Sequence, residues 1–291
     1  MDALGPIDLR HRGAERVIGC YLLETDDGHA LFDCGPTSDI DALTAGLADR
    51  GLELTDVRHL LLSHIHLDHA GAAGVLTREH PELQVHVSEV GAPHLIDPSR
   101  LERSARRLYG DVFDDLWGEL APVPEQNVHV VGETTLGLET FPTTGHASHH
   151  VSYLSDDGTL YAGDAAGVRI GSGRFVTAPC PPPEFDLEAW ERSISEIETR
   201  APGRLALIHF GVFDDVMDPL AELRETLSRW SSRVENGMDE ETFVAAARYD
   251  VEQIDPELAD DYDRAAPYWH HFRGLERYWR KRREAAAAAT A

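Results

Sequence analysis

Residues 60–74 read LLLSHIHLDHAGAAG, three leucines giving way to three histidines and an aspartate within six residues. A short apolar run of this kind predicts a buried strand. Imidazoles and carboxylates crowded at its end need either hydrogen-bond partners or a cation. His64 and His66 are two apart, so on an extended segment their rings point to one side. Asp68 and His69 fall where the chain turns into a helix over AGAAGVLTREHP. Zinc takes three or four ligands, so a second convergent set is needed. Three candidates each follow an apolar, strand-like run: His146 in TTGHAS, Asp164 in LYAGDAAG and His209 in LALIHFG. Ligands at strand ends are held rigidly by the sheet.

The rest of the chain supports such a sheet. RVIGCYLLET and GHALFDCG, separated by the turn signal DDGH, predict a hairpin. DIDALTAGLADRG predicts a helix ended by glycine, VRHLLLS and LQVHVS strands, and VGAPHLI a helix. NVHVVG, TTLGLETFPTTG, HVSYLSDDGTLYAGD, DLEAWERSISEIETR and RLALIHFG repeat the theme, so helices pack on sheets. Beyond Pro219 the pattern is helical, dividing the chain into an α/β part over 1–218 and a helical extension over 219–291 packed on it. No apolar run approaches the roughly 18 residues of a membrane helix, and MDALGPIDLRHRG shows no leader pattern, so a cytoplasmic protein without a membrane partner is expected. Cys20, Cys34 and Cys180 have no CxxC spacing and read as buried small hydrophobes.

Fifty-two acidic against 26 basic residues leave a net charge of −26, which repels a polyanion and argues against a nucleic-acid partner. The single lysine, Lys281, lies in the basic run RYWRKRR, which suits a solvated helix end. The acidic balance fits either a GC-rich genome or a salt-adapted shell.

The pattern HxHxDH, followed by His, Asp and His at successive strand ends, resembles the metallo-β-lactamase superfamily, within it the glyoxalase II and lactonase-like branch, over about Val17 to Gly211. The resemblance implies an αββα sandwich with two metals at one edge. It places His64, His66 and His146 on the first metal, Asp68, His69 and His209 on the second, and Asp164 between them. Asp33 in LFDCG matches the strand-end aspartate that orients a ligand histidine. His150 matches a supporting histidine of relatives that read GHTPGH, whereas His149 replaces their glycine and is either a proton donor to a leaving group or a packed ring. Lactonases of the family often carry a tyrosine three residues after the bridging aspartate; here that position is Gly167.

Such a ligand set predicts two divalent ions, Zn²⁺ foremost with Mn²⁺, Fe²⁺ or Co²⁺ as other occupants, and a bridging hydroxide that attacks a carboxylic ester, thioester or lactone. Asp68 is then both ligand and orienter of the attacking water. A mononuclear iron persulfide dioxygenase and a phosphodiesterase or nuclease are the alternatives. The segment 99–120 is expected to roof the site on a small-molecule substrate, with Tyr109, Phe113 and Trp117 as an apolar wall. Arg103, Arg106 and Arg107 would either receive a carboxylate or form a solvated helix face. The C-terminal helices either complete the pocket or form a homodimer interface. The remaining histidines, His11 and His270 among them, read as structural or solvated.

Overall fold

The two apolar runs between Val17 and Phe32 pair as the hairpin expected of them. In this computed structural model, which describes residues 5–289, β1 (Ile7–Asp8) pairs with β2 (Gly19–Thr25), and β2 turns back into β3 (Gly28–Phe32). β4 (Val57–Leu61), β5 (Gln84–Val87) and β6 (Val128–Val130) add in parallel, giving a six-stranded sheet ordered β1 to β6. Leu60, Leu61 and Leu62 are fully buried, the signature of a central parallel strand covered on both faces.

Parallel strands need crossovers. Here these are α1 (Ile40–Ala48), α2 (Leu67–Ala70), α3 (Ala73–Glu79), α4 (Ala92–Ile96), α5 (Ser99–Tyr109) and α6 (Phe113–Trp117). The second sheet runs in the reverse spatial order, from β12 (Gly211–Phe213) through β11 (Arg204–Leu207), β10 (Thr159–Tyr161), β9 (Val151–Leu154) and β8 (Leu138–Pro142) to β7 (Thr134–Thr135). Within it only β10 and β11 are parallel, joined through α7 (Leu187–Arg200). The C-terminal part is α8 (Met217–Glu235), α9 (Glu240–Ile254), α10 (Ala259–Ala265) and α11 (Tyr268–Ala289).

The sheets face each other across an aromatic core. Phe32 lies 5.8 Å from Tyr153 and 5.4 Å from Tyr161, and Tyr21 lies 5.7 Å from Tyr161. Tyr21 and Tyr153 carry their hydroxyls into the core because each finds an acceptor on the opposite sheet. Tyr21 donates to the Leu207 carbonyl at 2.8 Å, and Tyr153 to the Leu62 carbonyl at 3.0 Å. The outer face of the second sheet shares one apolar cluster with α7 to α11. Its centre is Trp230, packed on Phe175, Phe243 and Tyr268 and donating to Asp250 at 2.8 Å. Helices outside two facing sheets make the αββα arrangement. Cys20, Cys34 and Cys180 are buried and unpaired. Among the described residues no helix is long and apolar enough to cross a membrane.

Strand direction decides where function can sit. β3, β4 and β5 point one way in the first sheet, and β8, β10 and β11 share a direction in the second. The loops that leave these six strands carry Asp33, His64, Ser88, His146, Asp164 and His209.

Candidate metal centre

The first ligand loop leaves β4 through Ser63, a residue tied on every side. Its N–H donates to Asp33 Oδ1 at 2.8 Å, its hydroxyl lies 2.8 Å from Asp33 Oδ2, and its carbonyl accepts the Val151 N–H at 2.8 Å. That last bond stitches the edges of the two sheets together. His66 then caps α2, so Asp68 and His69 ride on a single helical turn held by bonds from the His69 and Ala70 N–H groups to the His66 carbonyl.

Three ring nitrogens converge. His64 Nε2, His66 Nδ1 and His146 Nε2 lie 2.8–3.2 Å from one another. Tetrahedral zinc with bonds of about 2.0–2.1 Å holds its nitrogens about 3.3 Å apart, so the spacing is that of a ligand triad. A second set gathers beside it: His209 Nε2 is 3.4 Å and His69 Nε2 3.8 Å from Asp68 Oδ2. Asp164 stands between the sets. Its Oδ2 is 3.3 Å from His146 Nε2, while its Oδ1 is 3.4 Å from His69 Nε2 and 3.7 Å from His209 Nε2.

The donor set fits a cation. His69 Nε2 and Asp164 Oδ1 are buried without any hydrogen-bond partner, a costly state that a metal relieves. Burial, with the neighbouring imidazoles, pushes His64 and His66 well below the ordinary histidine range, the unprotonated form that ligates. Burial alone would lower His69 and His209 too, but the carboxylates of Asp164 and Asp68 outweigh it and raise both. That half of the cluster therefore calls for positive charge.

Outer contacts set the tautomers. His146 Nδ1 donates to the Pro179 carbonyl at 2.8 Å and His209 Nδ1 to the Val17 carbonyl at 2.5 Å, which leaves each Nε2 lone pair facing inward. His69 Nδ1 is held at 2.8 Å by Asp33 Oδ2, the contact expected for that aspartate. His150 Nε2 accepts the Asp164 N–H at 3.1 Å and its Nδ1 lies 2.8 Å from Thr143 Oγ1, so it carries the loop bearing Asp164 while its ring stacks on His64 at 4.9 Å. His149 accepts the Ile65 N–H at 3.4 Å, lies parallel to His64 at 5.9 Å and edge-on to His66 at 5.4 Å. Burial pushes it down to about 4.

The ligands open into a cavity of about 540 Å³. Tyr109 and Trp117 line it, as the sequence suggested. Phe113, Arg103, Arg106 and Arg107 do not. Phe113 is fully buried against Leu67 and Ala105. The three arginines fall at i, i+3 and i+4 on the face of α5 away from the cavity, and Arg106 lies over the Phe113 ring while pairing with Glu102 and Asp114. Spacing alone could have favoured this solvated face. Sequence reasoning missed His11, His94, Glu184 and His270, all of which line the cavity. His11 Nδ1 is 2.8 Å from Asp39 Oδ2, and Glu184 Oε2 is 3.9 Å from His149 Nε2. None of them sits in a spaced motif, so no local signal marks them. At Gly167, φ is +81° and an added Cβ would lie 2.6 Å from Val176 Cγ1, so no tyrosine fits there.

Comparison with known proteins agrees with this geometry. A sequence model described as the metallo-beta-lactamase superfamily matches residues 15–209. The chain is 28% identical over 219 residues to the protein YobT of Bacillus subtilis, covering 73% of this chain and 90% of that one. It is 30% identical over 174 residues to a hydroxyacylglutathione hydrolase of Rhodopseudomonas palustris, covering 57% of this chain and only 56% of the relative. A metallo-beta-lactamase family protein of Thermus thermophilus superposes with a TM-score of 0.65 at 20% identity, over 96% of this chain and 93% of the other. With the family model spanning β2 to β11 and every candidate ligand, the chain belongs to the metallo-beta-lactamase superfamily.

Proposed function

We propose that the chain is a cytoplasmic, dinuclear metal-dependent hydrolase acting on a carboxylic ester, thioester or lactone. The observation that carries this is the placement of Asp164, whose two oxygens face separate nitrogen sets at 3.3 Å and at 3.4–3.7 Å. His64, His66 and His146 would hold one ion, Asp68, His69 and His209 the other, with zinc the foremost occupant. Ions bound there supply a nucleophile ionised near neutral pH and polarise the substrate carbonyl. Asp68, the most exposed of the carboxylates at 24%, orients the attacking water from the cavity side. His149 lines the cavity with Glu184 Oε2 3.9 Å from its Nε2 and, kept neutral by burial, would serve as a hydrogen-bond partner to the leaving group. Three unpaired buried cysteines suit a reducing compartment.

A mononuclear iron oxygenase would leave the Asp68, His69 and His209 set without a purpose, and a nuclease would work against a net charge of −26. Metal quantification with a panel of chromogenic ester, lactone, thioester and phosphodiester substrates tests the proposal. About two metals per chain and oxygen-independent acyl hydrolysis are expected, with His66→Ala and Asp164→Ala losing both metal and turnover. One iron with thiol-dependent oxygen uptake, or full activity in either variant, would refute it.

A further inference from the structure

The candidate ligands form only one side of the cavity. The other side is assembled from three stretches far apart in the chain: His11 after β1, Tyr109 and Trp117 around the α5–α6 turn, and His270 on α11. Their rings form a continuous chain. His11 lies parallel to Trp117 at 5.5 Å and 18°, Tyr109 meets Trp117 edge-on at 5.2 Å, and Tyr109 meets His270 at 5.3 Å and 70°.

This wall is fixed from behind. Asp39 holds the His11 ring at 2.8 Å, and α11 approaches so closely that a Cβ on Gly274 would sit 1.9 Å from the Cys180 carbonyl. Of its two imidazoles, His270 is neutral at pH 7, burial pushing it down to about 4, and His11 is paired with Asp39. Arg103, Arg106 and Arg107 of α5 turn to water; the arginines at the cavity are Arg100, which is exposed, and Arg264, which is paired with Asp261 at 2.8 Å. An anionic group laid on this wall would lose its hydration and find no unpaired cation buried in it. An apolar one would gain by leaving water. At about 540 Å³ the space suits a drug-sized molecule and far exceeds an acetyl group.

We propose that the ring chain His11, Trp117, Tyr109 and His270 is the specificity wall of the site, selecting an uncharged ester or lactone whose long aliphatic or aromatic body lies along it while the reacting carbonyl sits at the His and Asp cluster. This rests on the hydrolase function proposed above. It makes α11 part of the substrate site and disfavours anionic peptide thioesters.

The test uses the full-length, zinc-loaded protein with p-nitrophenyl acetate, butyrate, hexanoate, octanoate and hemisuccinate. Separately, calorimetry measures binding of butyramide and octanamide, uncharged amides used here as binding probes. Each methylene moved from water onto the wall is expected to raise kcat/KM about three- to fourfold, and octanamide to bind more tightly than butyramide. Trp117→Ala and Tyr109→Ala should cut the gain to under about twofold per methylene and abolish the preference for octanamide, with metal content and Tm reporting on folding. Should a variant fail to fold, the chain-length profile of the unaltered protein still decides. A flat profile, or preference for the anionic hemisuccinate over the butyrate, overturns the wall while leaving the hydrolase standing. Tight, Trp117-dependent octanamide binding without hydrolysis of any ester keeps the wall and removes the hydrolase.

Discussion

Asp33→Asn isolates the contribution of a single proton position to the metal centre. Asp33 is fully buried and adopts φ +56°, a left-handed conformation that asparagine also tolerates, so the backbone is undisturbed. Its Oδ1 accepts the Ser63 N–H at 2.8 Å, which orients an asparagine with its oxygen there and its amide NH₂ in the place of Oδ2. That NH₂ then points at His69 Nδ1 across 2.8 Å, a donor facing a donor. The conflict is relieved only if the His69 proton moves to Nε2, the nitrogen that faces Asp68 and Asp164. A protonated Nε2 cannot ligate. Losing a charge-assisted hydrogen bond of about 1.5–3 kcal/mol converts to roughly a 10- to 150-fold weaker second ion, in line with the 10- to 100-fold typical of such outer contacts. Titration with zinc against a chromophoric chelator should show the binding step of the Asp68, His69 and His209 set shifted by that amount, and the step of the His64, His66 and His146 set moved much less. An isotherm with both steps unchanged would refute the tautomer argument.

Three further outcomes follow from packing and charge. Gly163→Ala puts a Cβ 2.6 Å from both His150 Nε2 and Ser63 Cβ at φ +51°, so it should cost about 1–3 kcal/mol and lower metal content by displacing Asp164; calorimetric unfolding and elemental analysis check this. Gly274→Ala raises helix propensity by about 1 kcal/mol, yet it should lower Tm because the added methyl meets the Cys180 carbonyl at 1.9 Å, and a higher Tm would contradict the seating of α11. Burial alone would raise Asp250, but bonds from Arg233 and Trp230 outweigh it and hold its carboxyl below the usual range. A folded pKa below the unfolded value of about 4 gives stability that is full above that value and lost as pH falls through the folded one. The Tm advantage over Asp250→Asn should therefore be greatest near neutrality and shrink below about pH 4; an advantage constant with pH would show that the carboxylate charge is not what stabilises this contact.

The hairpin, the central strand β4 and the positions of the seven candidate ligands were legible because each ligand-bearing loop follows an apolar run of strand length. A period-two or fully apolar run announces a strand, and the residue after it is carried to the sheet edge wherever the strand lies. Asp33 was legible for the same reason. Phe113 and the α5 arginines were not, because a helical sequence shows which residues share a face but not what that face meets. On α5 the apolar side turns toward the cavity and α2, leaving Arg103, Arg106 and Arg107 to water.

By itself, then, the sequence determined the types and spacing of the candidate ligands, the two-sheet class and the strongly acidic net charge, since these depend on residue type and short-range period. Only the tertiary structure decided that Asp164 divides its oxygens between two nitrogen sets, that His11 and His270 stand in one wall with Trp117, and that α11 reaches the cavity at all. Those facts join residues up to about 260 positions apart, and which distant surfaces meet depends on the packing of whole faces, a property of the folded chain that no local stretch encodes.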